Sequence, residues 1–342
     1  MDLLVSALEP SSNIHLEEIL KHNNHFDIKG IFDERFGTPI VPSKEFSVMG
    51  IIDVIPKILK AKQAIKKLAK LSLVCDKVLL IDAPAFNIPL ARAIKKINPE
   101  IKIIYYILPK VWVWRKSRVK KVEKYCDEIC SIFPFENKYY KTSKYVGNPL
   151  LDIIDSEKDI EESGNVAFLA GSRKSEIKSL ITIFKETAKK IDKQPIIVVP
   201  KHLSQEEIDD LYGDLSKFKI CYDTKVALMQ SDFAFVCSGT ASLETALLGV
   251  PSVIVYKAKK LDYMVAKFII KLKFMGLANI IFDYEGLTPL QDELVQSQVN
   301  PEILLEKYNN RVSIKDFQKD SSTLREILHS GSANNISAII RD

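Results

Sequence analysis

The chain has 342 residues, 46% of them hydrophobic and 27% charged, with a formal net charge of +5. That length is enough for two ordinary cores, the composition is that of a globular protein, and the excess of cations is too small to argue for a nucleic-acid partner. Five cysteines, an odd number set mostly in apolar segments, read as buried reduced thiols. Cys126 and Cys130 have no second pair and no histidine cluster, so no metal site is expected. The opening MDLLVSALEP lacks a basic region and its apolar run is too short for a signal peptide. No window reaches about 18 uninterrupted apolar residues, so the expected location is cytoplasmic, with nothing spanning a bilayer.

In chain order, LLVSAL opens as a strand. KVLLIDA (77–83) leads into the helical NIPLARAIKKI, IKIIYYIL (101–108) into VWRKSRVKKVEKYC, and EICSIF (128–133) follows. After the polar EKDIEESG the pattern restarts with NVAFLAG (165–171), PIIVVP (195–200), FKICY (218–222), DFAFVC (232–237) and SVIVY (252–256). Strands that are apolar throughout and separated by helices indicate parallel sheets covered on both faces. The two series predict an α/β protein of two doubly wound, Rossmann-like domains, one over 1–160 and one over 161–315. Residues 316–342 read as a C-terminal helix packing back on an N-terminal domain.

Ligands of open α/β sheets bind beyond the C-terminal ends of the strands. Asp82 ends a strand in IDAPAFN, where a carboxylate costs desolvation; it reads as a general base or as a helix cap. In LPKVWVWRKSR (108–118), the only tryptophans, Trp112 and Trp114, sit among Arg115, Lys116 and Arg118. The run is either a core edge or a rim for amphipathic anionic ligands. In AGSRKSEI, Gly171 allows a close turn, Ser172 can cap the next helix, and Arg173 offers a bidentate donor for phosphate; an ordinary capped helix is the alternative. CSGTASLE gives a second donor-rich helix start at Ser238, Gly239 and Thr240. Glu244 lies too deep in that helix for the dipole to explain it and is suited to ribose hydroxyls. Two phosphate-friendly turns and a ribose acceptor, without a GxGxxG or Walker motif, point to a nucleotide-sugar.

Two stretches combine lysines with helically spaced apolar residues. IIDVIPKILKAKQAIKKLAKLSLV (51–74) carries Lys57, Lys60, Lys62, Lys66, Lys67 and Lys70 beside Ile51, Ile55, Ile58, Ile65 and Leu68. YKAKKLDYMVAKFIIKLKFMG (256–276) is the second. They are either surface helices with solvated basic faces or a peripheral, anionic-membrane surface.

VMGIIDVIPKI, IDAPAFN, PKVWVWRKSR, FPFENKYY, YVGNPLLD, LAGSRKSEI, SDFAFVCSGTASLETALLGVP and DELVQ occur in an order that resembles the lipid-A-disaccharide synthases. These are glycosyltransferases of the GT-B architecture, two Rossmann-like domains whose parallel sheets face a central cleft. The resemblance covers about residues 46 to 302 and is most specific in the tryptophan and SGTASLE segments. It implies transfer of a diacylglucosamine-1-phosphate unit from UDP-2,3-diacylglucosamine to lipid X, with release of UDP. It also implies Asp82 and Arg173 in catalysis, and Gly171, Ser172, Arg173, Ser238, Gly239, Thr240 and Glu244 at UDP. Glu9, Ser11, Met49, Gly50, Trp112, Trp114, Arg115, Lys257 and Asn279 fall on the acceptor and lipid side. No cofactor or metal, a cytoplasmic enzyme peripheral to the inner membrane, and homodimers through C-terminal exchange follow from the same likeness.

Departures from the family pattern bear on the acceptor side. Its first block, GExSGD, reads LEPSSN (8–13), which keeps Glu9 and Ser11 but neither glycine nor the aspartate. Ala85 stands where a second aspartate is usual, Lys257 where an arginine is, and the LPN block reads LANII with Asn279 retained. A divergent family member, another GT-B UDP-GlcNAc enzyme (a peptidoglycan N-acetylglucosaminyltransferase or a 2-epimerase), and an inactive nucleotide-sugar or lipid-binding protein remain the readings to separate.

Overall fold

The computed structural model describes residues 1–23, 25–44, 54–258 and 273–342, with the backbone alone for 54–58. Contacts divide the chain into two units, Met1–Asp152 with Leu328–Asp342, and Ile153–Ile327. The division therefore lies before the expected position near 160, at the helix that follows the first sheet.

The first unit is built on seven parallel strands: β1 (Asp2–Ser6), β2 (Asp27–Phe32), β3 (Val41–Pro42), β4 (Lys77–Ile81), β5 (Lys102–Tyr106), β6 (Glu128–Ser131) and β7 (Lys144–Tyr145), in the order β3-β2-β1-β4-β5-β6-β7. Helices α1 (Pro10–Lys21), α2 (Val54–Leu71), α3 (Pro84–Ile97), α4 (Arg118–Tyr125) and α5 (Leu150–Ile153) follow the strands. The runs LLV, VLLI and IIYY are buried along their whole length, as a sheet covered on both faces demands. Strand order reverses between β1 and β4, which opens a crevice above their ends.

The second unit repeats this plan with six strands: β8 (Asn165–Leu169), β9 (Gln194–Val198), β10 (Lys219–Cys221), β11 (Phe233–Cys237), β12 (Ser252–Tyr256) and β13 (Asp292–Val295), ordered β10-β9-β8-β11-β12-β13. Its helices are α6 (Lys174–Ala188), α7 (Gln205–Tyr212), α8 (Thr224–Met229), α9 (Thr240–Leu247), α10 (Leu277–Tyr284), α11 (Pro301–Asn309) and α12 (Ile314–Leu328). Phe168, Phe184, Phe218 and Phe235 meet at ring-centroid distances of 5.2–6.3 Å and fill the core under β8 and β11. Here the order reverses between β8 and β11.

The single helix expected over 316–342 is two. His329 and Gly331, with φ of 38° and 91°, break α12 from α13 (Ser332–Arg341). Both Asp152 oxygens cap α13, accepting from the Gly331, Ser332 and Ala333 backbone N–H groups at 2.6, 3.2 and 2.7 Å. Tyr106 Oη and Ser332 Oγ lie 2.7 Å apart, tying α13 to the end of β5. Among the described residues no helix is long and apolar enough to cross a membrane.

Candidate active site

Each sheet carries its candidate residues at the point where strand order reverses. In the first unit, Asp82 and Ala83 leave β4 in the left-handed region, with φ of 50° and 41°. That conformation costs a non-glycine residue of order 1 kcal/mol, so neighbouring bonds must hold it. Asn87, wholly buried on α3, does so. Its amide donates to the carbonyls of Ile81 and Asp82 at 3.1 and 2.8 Å, while its oxygen accepts from Ser6 Oγ at 2.7 Å. Tyr105 Oη donates to the Asp82 carbonyl at 2.9 Å, and Asp82 N donates to the Tyr106 carbonyl. The Asp82 carboxyl is left at the crevice. Burial raises its pKa; the Lys110 ammonium and the Ala83 N–H pull the other way. Across the crevice Glu9, at the start of α1, is also raised, by desolvation and then by Asp82.

The altered LEPSSN loop is internally satisfied. Asn13 donates to the Ala7 and Glu9 carbonyls at 3.0 and 2.9 Å and accepts from Asp33 N at 2.7 Å. An aspartate carboxylate there has no hydrogen to donate. Ser12, also buried, reaches the Ile81 carbonyl at 3.5 Å, and Ser11 is exposed in the first turn of α1.

The tryptophans divide. Trp112 is buried, edge-on to Phe133 and Phe135, and donates to the buried Glu136 carboxyl at 3.3 Å, so it forms the core edge and not the rim. Trp114 is 45% exposed, with the Arg115 and Arg118 guanidiniums 4.2 and 5.8 Å from its ring.

In the second unit Gly171 leaves β8 at φ +94°, where a Cβ would meet Glu176 Oε2 at 2.4 Å and Cys237 Sγ at 3.2 Å. Only glycine fits under that carboxylate. The cap of α6 is Arg173, not Ser172: Glu176 reaches back to accept from Arg173 N at 3.1 Å, which starts the helix one residue later than expected. The Arg173 guanidinium, 80% exposed, pairs with Glu176 at 2.8 Å. Cys237 at the end of β11 is buried beside Glu176, which with burial pushes its thiol up to about 12.

Helix α9 begins at Gly239 with no side-chain cap, leaving its first N–H groups without an intrahelical partner. A Cβ on Gly239 would meet nothing within 4 Å, and Thr240 is exposed beside it. Ser238 Oγ donates to the Met275 carbonyl at 3.2 Å. One and a half turns on, Glu244 has its carboxyl pushed up to about 7, by burial and then by Asp223, against Lys225. Asp223, which caps α8, and Lys225 are neighbours that the sequence did not single out; Tyr222, just after β10, presents a ring 47% exposed. Lys257 follows β12, its carbonyl accepting from Ser179 Oγ.

Asn279 is not a ligand-side residue. It is fully buried, donates to the Gln291 carbonyl and Glu293 Oε1, and accepts from Leu290 N and Gln291 N, all at 2.7–2.9 Å. Its hydrogen-bonding capacity is used inside the fold. Met49 and Gly50 lie outside the described residues, as does most of 256–276.

A model of the lipid-A-disaccharide synthetase family matches residues 3–341. The chain belongs to this family. It is 45% identical to the lipid-A-disaccharide synthase of Campylobacter jejuni (strain RM1221), over 99% of each chain. With that of Helicobacter pylori (strain P12) it shares 43% identity, over 98% of this chain and 96% of the other. The protein is therefore a glycosyltransferase of lipid A disaccharide synthesis, which answers the choice between this family and other enzymes or an inactive relative. Among solved structures, MurG of Acinetobacter baumannii superposes with a TM-score of 0.60 at 14% identity, covering 99% of this chain and 98% of that one. UDP-GlcNAc 2-epimerase of Neisseria meningitidis, bound to UDP-GlcNAc, gives 0.60 at 13% over 100% of both. At such identities these likenesses show the fold, the two-domain, Rossmann-like GT-B architecture.

Proposed function

We propose that the second unit binds UDP-2,3-diacylglucosamine and the first unit binds and activates 2,3-diacylglucosamine-1-phosphate (lipid X). The observation that carries this reading is the gathering of Gly171–Arg173, Ser238–Thr240 and Glu244 around one strand-order reversal. The starts of α6 and α9 receive the diphosphate, and Glu244 takes the ribose hydroxyls. Arg173 exchanges its exposed Glu176 pair, worth at most about 1 kcal/mol, for a bidentate phosphate contact.

Asp82 accepts the proton of the acceptor 6-hydroxyl as that oxygen bonds to the anomeric carbon. The bond from that carbon to the UDP oxygen breaks on the opposite face, inverting the centre. Negative charge growing on UDP is met by the two helix starts and Arg173, so the reaction needs no metal or cofactor. Acylated substrates place the enzyme at the cytoplasmic side of an anionic inner membrane, with α2 as one contact: Leu59 on it, and Leu73 and Val74 just after it, are 56%, 58% and 65% exposed among lysines. Homodimer formation belongs to the same proposal.

Steady-state kinetics of Asp82→Asn and Arg173→Ala test the assignment. Asp82→Asn lowers kcat by 100-fold or more, on the order a general base contributes, with UDP affinity retained; Arg173→Ala weakens UDP binding. Turnover of Asp82→Asn within a few-fold of wild type removes the base.

A further inference from the structure

Four of the six non-glycine residues with positive φ among those described lie just beyond β4 and β5: Asp82, Ala83, Ile107 and Arg115. Ile107 is the strongest outlier, because a β-branched residue at φ 62° is disfavoured and persists only where the surroundings over-determine it. Its register shows what the turn achieves. Ile81 pairs with Tyr106, so Ile107 follows directly on the strand position beside Asp82, and the turn brings the next residues back over the crevice.

That segment is clamped. Tyr140 Oη donates to the Pro109 carbonyl at 3.0 Å, and Val113 N closes a turn on the Lys110 carbonyl at 3.0 Å. Trp112 is fixed by the Glu136 carboxyl, which also accepts from Ile132 N and Phe133 N at 3.3 Å. Pro109, Val111 and Trp112 are buried, and Lys110 alone in this run is exposed.

We propose that Lys110 is a positioning residue of the acceptor site, the counter-charge that keeps Asp82 ionised, presented to it by the Ile107 turn and the Glu136–Trp112 clamp. The proposal rests on Asp82 as the base. The charges around Asp82 agree with it: Glu9 on α1 and burial both oppose ionisation, and Tyr105 beneath carries no charge to help. Lys110 is the one side-chain cation that draws the Asp82 carboxyl down; Arg118 acts on Tyr105 and Tyr140 instead. Glu136, on the far side, is buried and pushed up to about 7, so it competes weakly for that ammonium.

The test is the pH profile of kcat/KM for the full-length Lys110→Met and Lys110→Arg proteins beside Asp82→Asn. Without the ammonium the acid limb moves alkaline by about one unit, since an adjacent opposite charge shifts a carboxyl by about that much or more. Lys110→Met then loses about tenfold at the acid end, a loss that shrinks as pH rises, while Lys110→Arg holds the wild-type limb. A Lys110→Met limb at the wild-type position, or a loss equal at every pH, overturns the role. An Asp82→Asn protein that still turns over normally fails the base assignment instead, so the two failures are distinguishable.

Discussion

Replacing Gly171 by alanine tests how the donor site is built. At φ +94° a Cβ costs roughly 1–2 kcal/mol in backbone strain. The same Cβ lies 2.4 Å from Glu176 Oε2, so the carboxylate must leave its cap on Arg173, at about 1 kcal/mol more. The sum, about 2–3 kcal/mol, falls on the second unit and lowers its urea midpoint by about 1 M at a slope near 2 kcal/mol/M. Circular dichroism and hydrogen exchange over 165–188 read this, while fluorescence reports the first unit because both tryptophans lie there. UDP binding by calorimetry weakens about tenfold, since Arg173 and the start of α6 move together. In a Glu176→Ala background the same substitution costs only the strain, leaving a coupling of about 1 kcal/mol. An unchanged midpoint and UDP affinity in the single variant would refute this construction.

Three further outcomes follow from buried groups and exposed faces. Because the Glu244 carboxyl is raised to about 7 in the fold from an ordinary 4.5, the folded protein holds the extra proton between those values, and this group's stabilisation fades as pH rises through that window. Glu244→Gln therefore unfolds at higher urea than wild type at pH 8 but not at pH 4, and it binds UDP about tenfold more weakly for want of a charged acceptor; a variant that binds UDP as wild type does removes the ribose role. Asn87→Ala strands the Ser6 hydroxyl and two carbonyls in the core, costing about 2–4 kcal/mol by fluorescence-detected melting and lowering kcat through Asp82; a cost below about 1 kcal/mol would show that water replaces the amide. Serine at Leu59, Leu73 and Val74 together weakens sedimentation with phosphatidylglycerol vesicles by about tenfold or more; equal binding by variant and wild type would place the membrane contact elsewhere.

Much of the fold was legible because parallel strands buried on both faces leave an unbroken apolar record, as in KVLLI and SVIVY. Gly171 and Glu244 were legible for a similar local reason, each sitting at a fixed distance past a strand. What was not legible depends on partners far along the chain. Ser6 and Asn87 are 81 residues apart, and neither belongs to a motif that announces the other. Trp112 and Trp114 look alike in sequence; their difference is which side of the Ile107 turn faces Phe133 and Phe135. Asn279 sat in a conserved-looking block for a structural reason, a buried amide closing the loop before β13. Lys110 carried no signal, because its meaning lies in a left-handed turn that no residue type encodes.

The most direct test of the central assignment incubates the purified protein with UDP-2,3-diacylglucosamine and 2,3-diacylglucosamine-1-phosphate and follows lipid products by mass spectrometry. The predicted result is a tetra-acyl disaccharide-1-phosphate formed in equal amount with released UDP. Release of UDP from UDP-GlcNAc, with no disaccharide from the acylated pair, would contradict it.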